Sequence, residues 1–171
     1  MATTYEAIAT VTVGSGGAAN IEFTSIPATY TDLAILLSGR IDNTFGNAWY
    51  DTYLQVNSAT GTTRDVYGTG SAAQSGTDGG EIRILGVPSD GATASTFSNA
   101  FIYITNYAST TQYKSISIDS VSENNATASM AALAAGLYSA NTAITSLKLD
   151  PYSTGNFVQH STATLYGIKN S

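Results

Sequence analysis

The sequence predicts an all-β fold: a single-domain β-sandwich of jelly-roll type, with eight to ten antiparallel strands over residues 1–171. Three observations predict it. Short runs of five to nine residues alternate apolar and polar side chains, the period of a half-buried strand. Gly, Asn and Pro clusters punctuate these runs at regular spacing, the pattern of a sandwich. No segment carries a clear helical period, and roughly eight strands in two packed sheets suit a chain of this length.

Tyr5 to Val13 alternates, with Tyr5, Ala7, Ala9, Val11 and Val13 on one side. The GSGG at Gly14 to Gly17 supplies a turn, and Asn20 to Phe23 returns as a second strand. No Lys-Ser/Thr pair follows GSGG, so it does not read as a phosphate loop. Pro27 ends that strand, because proline cannot donate to a ladder. Leu33 to Gly39, LAILLSG, is apolar on both faces and is expected as a central strand buried on both sides. Trp49 to Val56 follows, with aromatic residues on both faces.

Asn57 to Gly80 is rich in Gly, Ser, Thr and Ala. It reads as a long surface loop with at most a short edge strand at Arg64 to Tyr67, Val66 and Tyr67 being its residues to bury. Further strands are expected at Glu81 to Leu85, Thr96 to Tyr107 and Tyr113 to Val121, the last two joined by a connection of hairpin length. Ala126 to Tyr138, ATASMAALAAGLY, fits a helix or a strand. The all-strand neighbourhood and the cost of Gly136 inside a helix favour the strand. Ala143 to Leu149 and Ser161 to Lys169 close the series, and the turn between them carries Tyr152 and Phe157 as an aromatic plug.

Composition narrows the function. Charged residues are 11% of the chain against a usual quarter, while hydrophobic residues are an ordinary 43%. A polar, weakly charged surface suits a protein that packs against copies of itself or a neighbour; it also suits Thr-rich solvated strands. The net charge is −6, and the six cations, Arg40, Arg64, Arg83, Lys114, Lys148 and Lys169, are scattered. No basic stripe exists for phosphate backbones or anionic lipid, so nucleic acid and membrane are not expected partners. With no cysteine, disulfides and thiolate chemistry are excluded. The residues from Met1 to Val13 lack the pattern of a signal peptide, and no apolar run approaches the roughly 20 residues that span a bilayer.

Catalytic chemistry finds little footing. His160 is the sole histidine, so neither a triad nor a two-histidine metal site can be built within one chain. Asp51, Asp65, Asp119 and Glu123 are the carboxylates that could pair, but they occupy ordinary strand and loop positions. Calcium could be held at Asp42-Asn43 or by Asp78 with Glu81, though neither matches a spaced acidic loop. Asn125-Ala126-Thr127 is a sequon of the kind common by chance. The expectation is no enzyme, no cofactor and no metal. The 11 tyrosines are the unusual feature, since tyrosine supplies rigid amphipathic contact area at interfaces. Tyr50, Tyr53, Tyr103, Tyr107 and Tyr113 are the candidate contact residues; the alternative is a tyrosine-rich core with satisfied hydroxyls.

The pieces IEFTSIPATYTDLAILLSGR, YLQVN, FIYITNY, AITSLKLDPYSTGNF and STATLYGIKNS, in this order, resemble small virion structural proteins of tailed bacteriophages, notably those infecting cyanobacteria and other marine bacteria. The IP-TYTDL corner at Ile26 to Leu33 and the closing S-T-x-T-L-Y-G-I are the most specific parts. The resemblance implies a particle component in the virion, on the capsid exterior. Its first reading is a decoration (cement) protein that binds the major capsid protein, as a homotrimer at local three-fold positions. Its second is a tail or tail-fibre component touching a host carbohydrate receptor through the loops at Asn57 to Gly80 and Val87 to Ser95. An unrelated lectin-like sandwich is the third class. The corner and the closing strand are expected to share one core.

Overall fold

Alternation becomes strand wherever the chain can pair. In the computed structural model, which describes residues 5–59, 61–68, 73–78, 80–124, 129–153 and 155–169, twelve strands form and no helix. They are β1 (Tyr5–Thr12), β2 (Ile21–Phe23), β3 (Asp32–Ser38), β4 (Trp49–Val56), β5 (Thr62–Gly68), β6 (Ala73–Asp78), β7 (Ile82–Pro88), β8 (Asn99–Ile104), β9 (Lys114–Glu123), β10 (Ser129–Tyr138), β11 (Leu147–Pro151) and β12 (Thr162–Ile168). All pairings are antiparallel. One sheet runs β1-β12-β3-β8-β9-β10-β5-β6, the other β2-β11-β4-β7.

The pairings nest. β1 pairs with β12, β2 with β11, β3 with β8 and β4 with β7, while β12 also meets β3 and β11 also meets β4. A long hairpin of eight strands rolled into two four-stranded layers has this connectivity, which is the jelly roll. The remaining four strands, β5, β6, β9 and β10, extend one layer from four strands to eight. This extension accounts for the excess over the eight to ten expected.

Most of the expected strands are present; the differences have physical causes. Gly17 N–H bonds to Gly14 O at 3.1 Å, so the GSGG turn forms. It nevertheless carries the chain from one sheet to the other, because β1 and β2 each find a C-terminal partner. β3 is central, and Leu33, Ala34 and Ile35 are fully buried, but Leu36 points outward and is 43% exposed. The short strand expected at Arg64 to Tyr67 lies within β5, but the rest of the expected long loop also pairs: β5 and β6 form a hairpin added to the free edge of β10, with β6 as the edge strand. On β5 the inward residues are Thr63 and Asp65, whereas Val66 faces solvent at 54% exposure. Ala126 to Tyr138 gives strand β10, its residues 126–128 and the sequon lying outside the described residues. Of the aromatic plug, Phe157 is buried and Tyr152 is exposed.

The core lies between the layers. Leu33, Ile35 and Leu37 of β3 meet Leu54 and Val56 of β4, Ile82 and Ile84 of β7 and Leu165 of β12 in one buried cluster. The two segments with the most specific resemblance lie together. β12 pairs with β3 along its whole length, and the Tyr30 ring lies against Gly167, where an added Cβ would fall 2.3 Å from the ring. Tyr107 ties the same corner down, donating its hydroxyl to Pro27 O and accepting from Tyr30 N at 3.4 Å. At the same end of the sheet Lys114 is buried and its Nζ donates to four carbonyls: Ser109, Gln112, Ala140 and Thr142, at 2.6–3.1 Å. That ammonium clamps the β8–β9 connection to the β10–β11 connection, and burial pushes its pKa down.

Candidate functional site

The five candidate tyrosines occupy four different environments. Tyr107 is wholly buried in the core and so cannot serve as a surface contact. Tyr113 is exposed on the approach to β9. Tyr103 stands half-buried on the outer side of the eight-stranded sheet, where its hydroxyl donates to Asp32 Oδ2 at 2.7 Å. That hydrogen bond, then burial and the carboxylate charge, push its pKa up to about 12. Only Tyr50 and Tyr53 share a site.

Their site is a cleft of about 420 Å³ beside β4 and β7. Tyr50 stacks on Tyr152 with centroids 6.0 Å apart and planes 8° from parallel; Tyr53 meets Tyr152 edge-on at 5.9 Å, and Phe45 leans on Tyr50. Asn47 donates to the Tyr50 hydroxyl at 2.9 Å. Asp51 takes both Arg83 Nε, at 2.9 Å, and Arg83 Nη2 on one oxygen. Asp65, buried behind them, lies 3.7 Å from Arg83 Nη1. Two of the candidate carboxylates therefore flank one guanidinium. A β-bulge opposite Asp51 shapes this place: β7 inserts one extra residue between Ile84 and Val87, and Gly86 takes φ +76°. Burial, then the neighbouring Glu81, pushes the Tyr53 pKa up.

The outer face of the eight-stranded sheet is the second candidate, and sequence reasoning missed it. Its register brings Leu36 of β3, Phe101 of β8, Asp119 of β9, Leu133 of β10 and Val66 of β5 into one row across five strands. Leu133 is 67% exposed and Val121 is 51% exposed. β10 contributes Ala131, Leu133, Ala135 and Leu137, all outward. The signal was present in ATASMAALAAGLY, which is apolar on both strand faces though only one can meet the core.

No protein-family model, curated protein or solved structure matches the chain.

Other candidates have structural work. Asp42 accepts from Asn156 N at 2.6 Å and from its side chain at 3.2 Å, and buried Asn43 bonds Tyr152 O and Phe45 N. These groups join loops. The Asp78 side chain lies outside the described residues, among which no group of three or more His, Asp or Glu gathers to hold a metal. His160 is exposed in a turn, at φ +75°.

Proposed function

We propose that the chain is a structural protein of a tailed-bacteriophage particle, a decoration protein that binds the major capsid protein lattice and further copies of itself. The observation that carries this reading is the broad outward face of the eight-stranded sheet, with Leu36, Val66, Val121, Leu133 and Leu137 in water. Monomers rarely leave a contiguous apolar patch of this kind uncovered; such patches mark interaction surfaces. The low charge of the whole chain supports the same reading, because little desolvation opposes packing onto a lattice. A protein that binds only the assembled shell stabilises that shell by mass action. The test is co-sedimentation of the purified protein with tail-less heads lacking it. Saturable binding and a raised head-disruption temperature are expected; absence from the head pellet sinks the proposal.

The aromatic cleft favours a second reading, a tail or tail-fibre component that contacts a host carbohydrate. Tyr50, Tyr53 and Tyr152 offer apolar ring surface next to Asn47, Asp51 and Arg83, a mixture that suits sugar C–H faces and hydroxyls. A glycan array read with the native chain and with Tyr152→Ala decides it. Specific hits lost in the variant support the receptor role, and a blank array removes it.

A further inference from the structure

We infer that the outer face of the eight-stranded sheet is a self-association surface whose occupant is a second copy of this chain, apposed about a two-fold axis along β10. The inference rests on the assembly reading above and deepens it by assigning the β8, β9, β10, β5 and β6 part of this face to the protein itself, which leaves the β1, β12 and β3 part, with Leu36, for a lattice.

Area is the first argument. A two-fold along β10 lays β8 over β6, β9 over β5 and β10 over itself; five strands spaced about 4.8 Å apart, with about six residues each at about 3.4 Å, present a shared face of roughly 490 Å². The two copies together bury roughly 1,000 Å², the lower bound of a specific interface, so the size fits a weak dimer.

Charge is the second. Away from the strand ends, the outward positions of the six inner strands carry only two charged side chains, Asp119 and Arg64, of opposite sign. Asp119 sits in the apolar row between Phe101 and Leu133 and makes no hydrogen bond or ion pair with the described residues. Arg64 spends one nitrogen on Thr77 Oγ1 at 2.7 Å. Since β9 and β5 flank β10 on its two sides, a two-fold along β10 lays β9 of one copy over β5 of the other. Asp119 then faces Val66 across sheets packed about 10 Å apart, and Arg64 lies two residues, about 7 Å, further along that strand, where a long guanidinium side chain can lean to the carboxylate. The pairing occurs twice, as an isologous interface requires.

Shape is the third. Beside Leu133 the face dips into a hollow of about 370 Å³ walled by Arg64, Val66, Ser117 and Ala135. On the axis Leu133 of one copy meets Leu133 of the other, and the hollow beside it gives the two side chains room to pack past each other. A three-fold ring would instead need two different patches per chain, and the flat face supplies one self-matching patch.

The experiment is light scattering on the purified chain at about 100 µM, where an interface of this size is populated even at modest affinity. A dimer is expected. Leu133→Asp should give a monomer with an unchanged circular dichroism spectrum, since Leu133 is exposed in the subunit and its loss leaves the core intact. Arg64→Asp and Asp119→Arg should each dissociate the dimer, and the double reversal should restore it. A monomeric native chain, a trimer, a dimer that survives Leu133→Asp, or a double reversal that stays monomeric each overturns the assignment. The two proposals fail separately: a dimer that ignores heads loses the capsid role alone, and a monomer that binds heads loses this interface alone.

Discussion

Tyr30 can lie flat against β12 only because residue 167 has no side chain. An added methyl group would sit 2.3 Å from the ring, far inside contact distance, and the ring is held by its corner and by Tyr107. Gly167→Ala should therefore cost about 1–3 kcal/mol, as overpacking does, and lower Tm by roughly 2–12 °C in a chain of this size. Gly16→Ala is the control, since nothing lies within 4 Å of its added Cβ; equal melting of the two variants would remove the close approach as the cause. Tyr103 bears on alkaline stability. Its folded pKa, about 12, lies above the unfolded value of 10.0. The folded state thus holds its proton more tightly, and the stabilisation is full below pH 10 and lost as pH rises from 10 to 12. Tyr103→Phe should remove the tyrosinate step near pH 12 from an ultraviolet titration and flatten the decline of stability over that window. An unchanged titration curve would refute the assigned hydrogen bond to Asp32.

At the scale of the element, β3 tests how period and burial relate. Ile35 faces the inter-layer core and is fully buried; Leu36, its neighbour, faces out. Ile35→Asp puts a carboxylate among Ile102, Leu165 and their neighbours, and soluble folded protein should be lost. Leu36→Asp should yield folded protein with the native circular dichroism spectrum. Equal solubility of both variants would contradict the period-2 assignment. Reading LAILLSG as buried on both sides misjudged Leu36 because hydrophobicity marks any face removed from water, whether by the core or by another chain. The same ambiguity hid the outer face of β10. β5 was legible only at Arg64 to Tyr67, and β6 was not, for a different reason: β5 is held by backbone pairing on β10 and β6 by pairing on β5, and a ladder places few demands on side chains, so Thr, Gly and Ser read as loop. The cleft was half-legible. Tyr50 and Tyr53 stand out in WYDTYLQV, but Tyr152 and Arg83 reach them only through β11 and β7, pairings that no local pattern encodes.

At the scale of the whole molecule, the nested pairing makes the two ends of the chain unequal. β1 is the edge of its sheet, paired with β12 alone, and most of its residues are exposed. β12 is internal, bonded to β1 on one side and β3 on the other, and it lends Ala163 and Leu165 to the core. Removal of residues up to Thr10 takes away one ladder and little buried apolar surface, while Val13 keeps its bonds to Ser161 and His160. Removal of β12 strips β3 of a partner along its whole length, empties the site beneath Tyr30 and leaves Leu33, Ile35 and Leu37 open on one side. Each large apolar side chain so exposed forfeits about 1.5–3 kcal/mol, and a few of them match the 5–15 kcal/mol that holds a domain together. The amino-terminal truncation should therefore stay soluble and melt cooperatively a few degrees lower, by about 2–4 °C for each kcal/mol lost. Truncation before Thr162 should give insoluble chain. The contrast isolates topology from composition, since the removed segments are of similar length and both alternate. If both truncations fold, the closing strand is not the keystone of the roll, and the nested order of the eight jelly-roll strands would have to be redrawn.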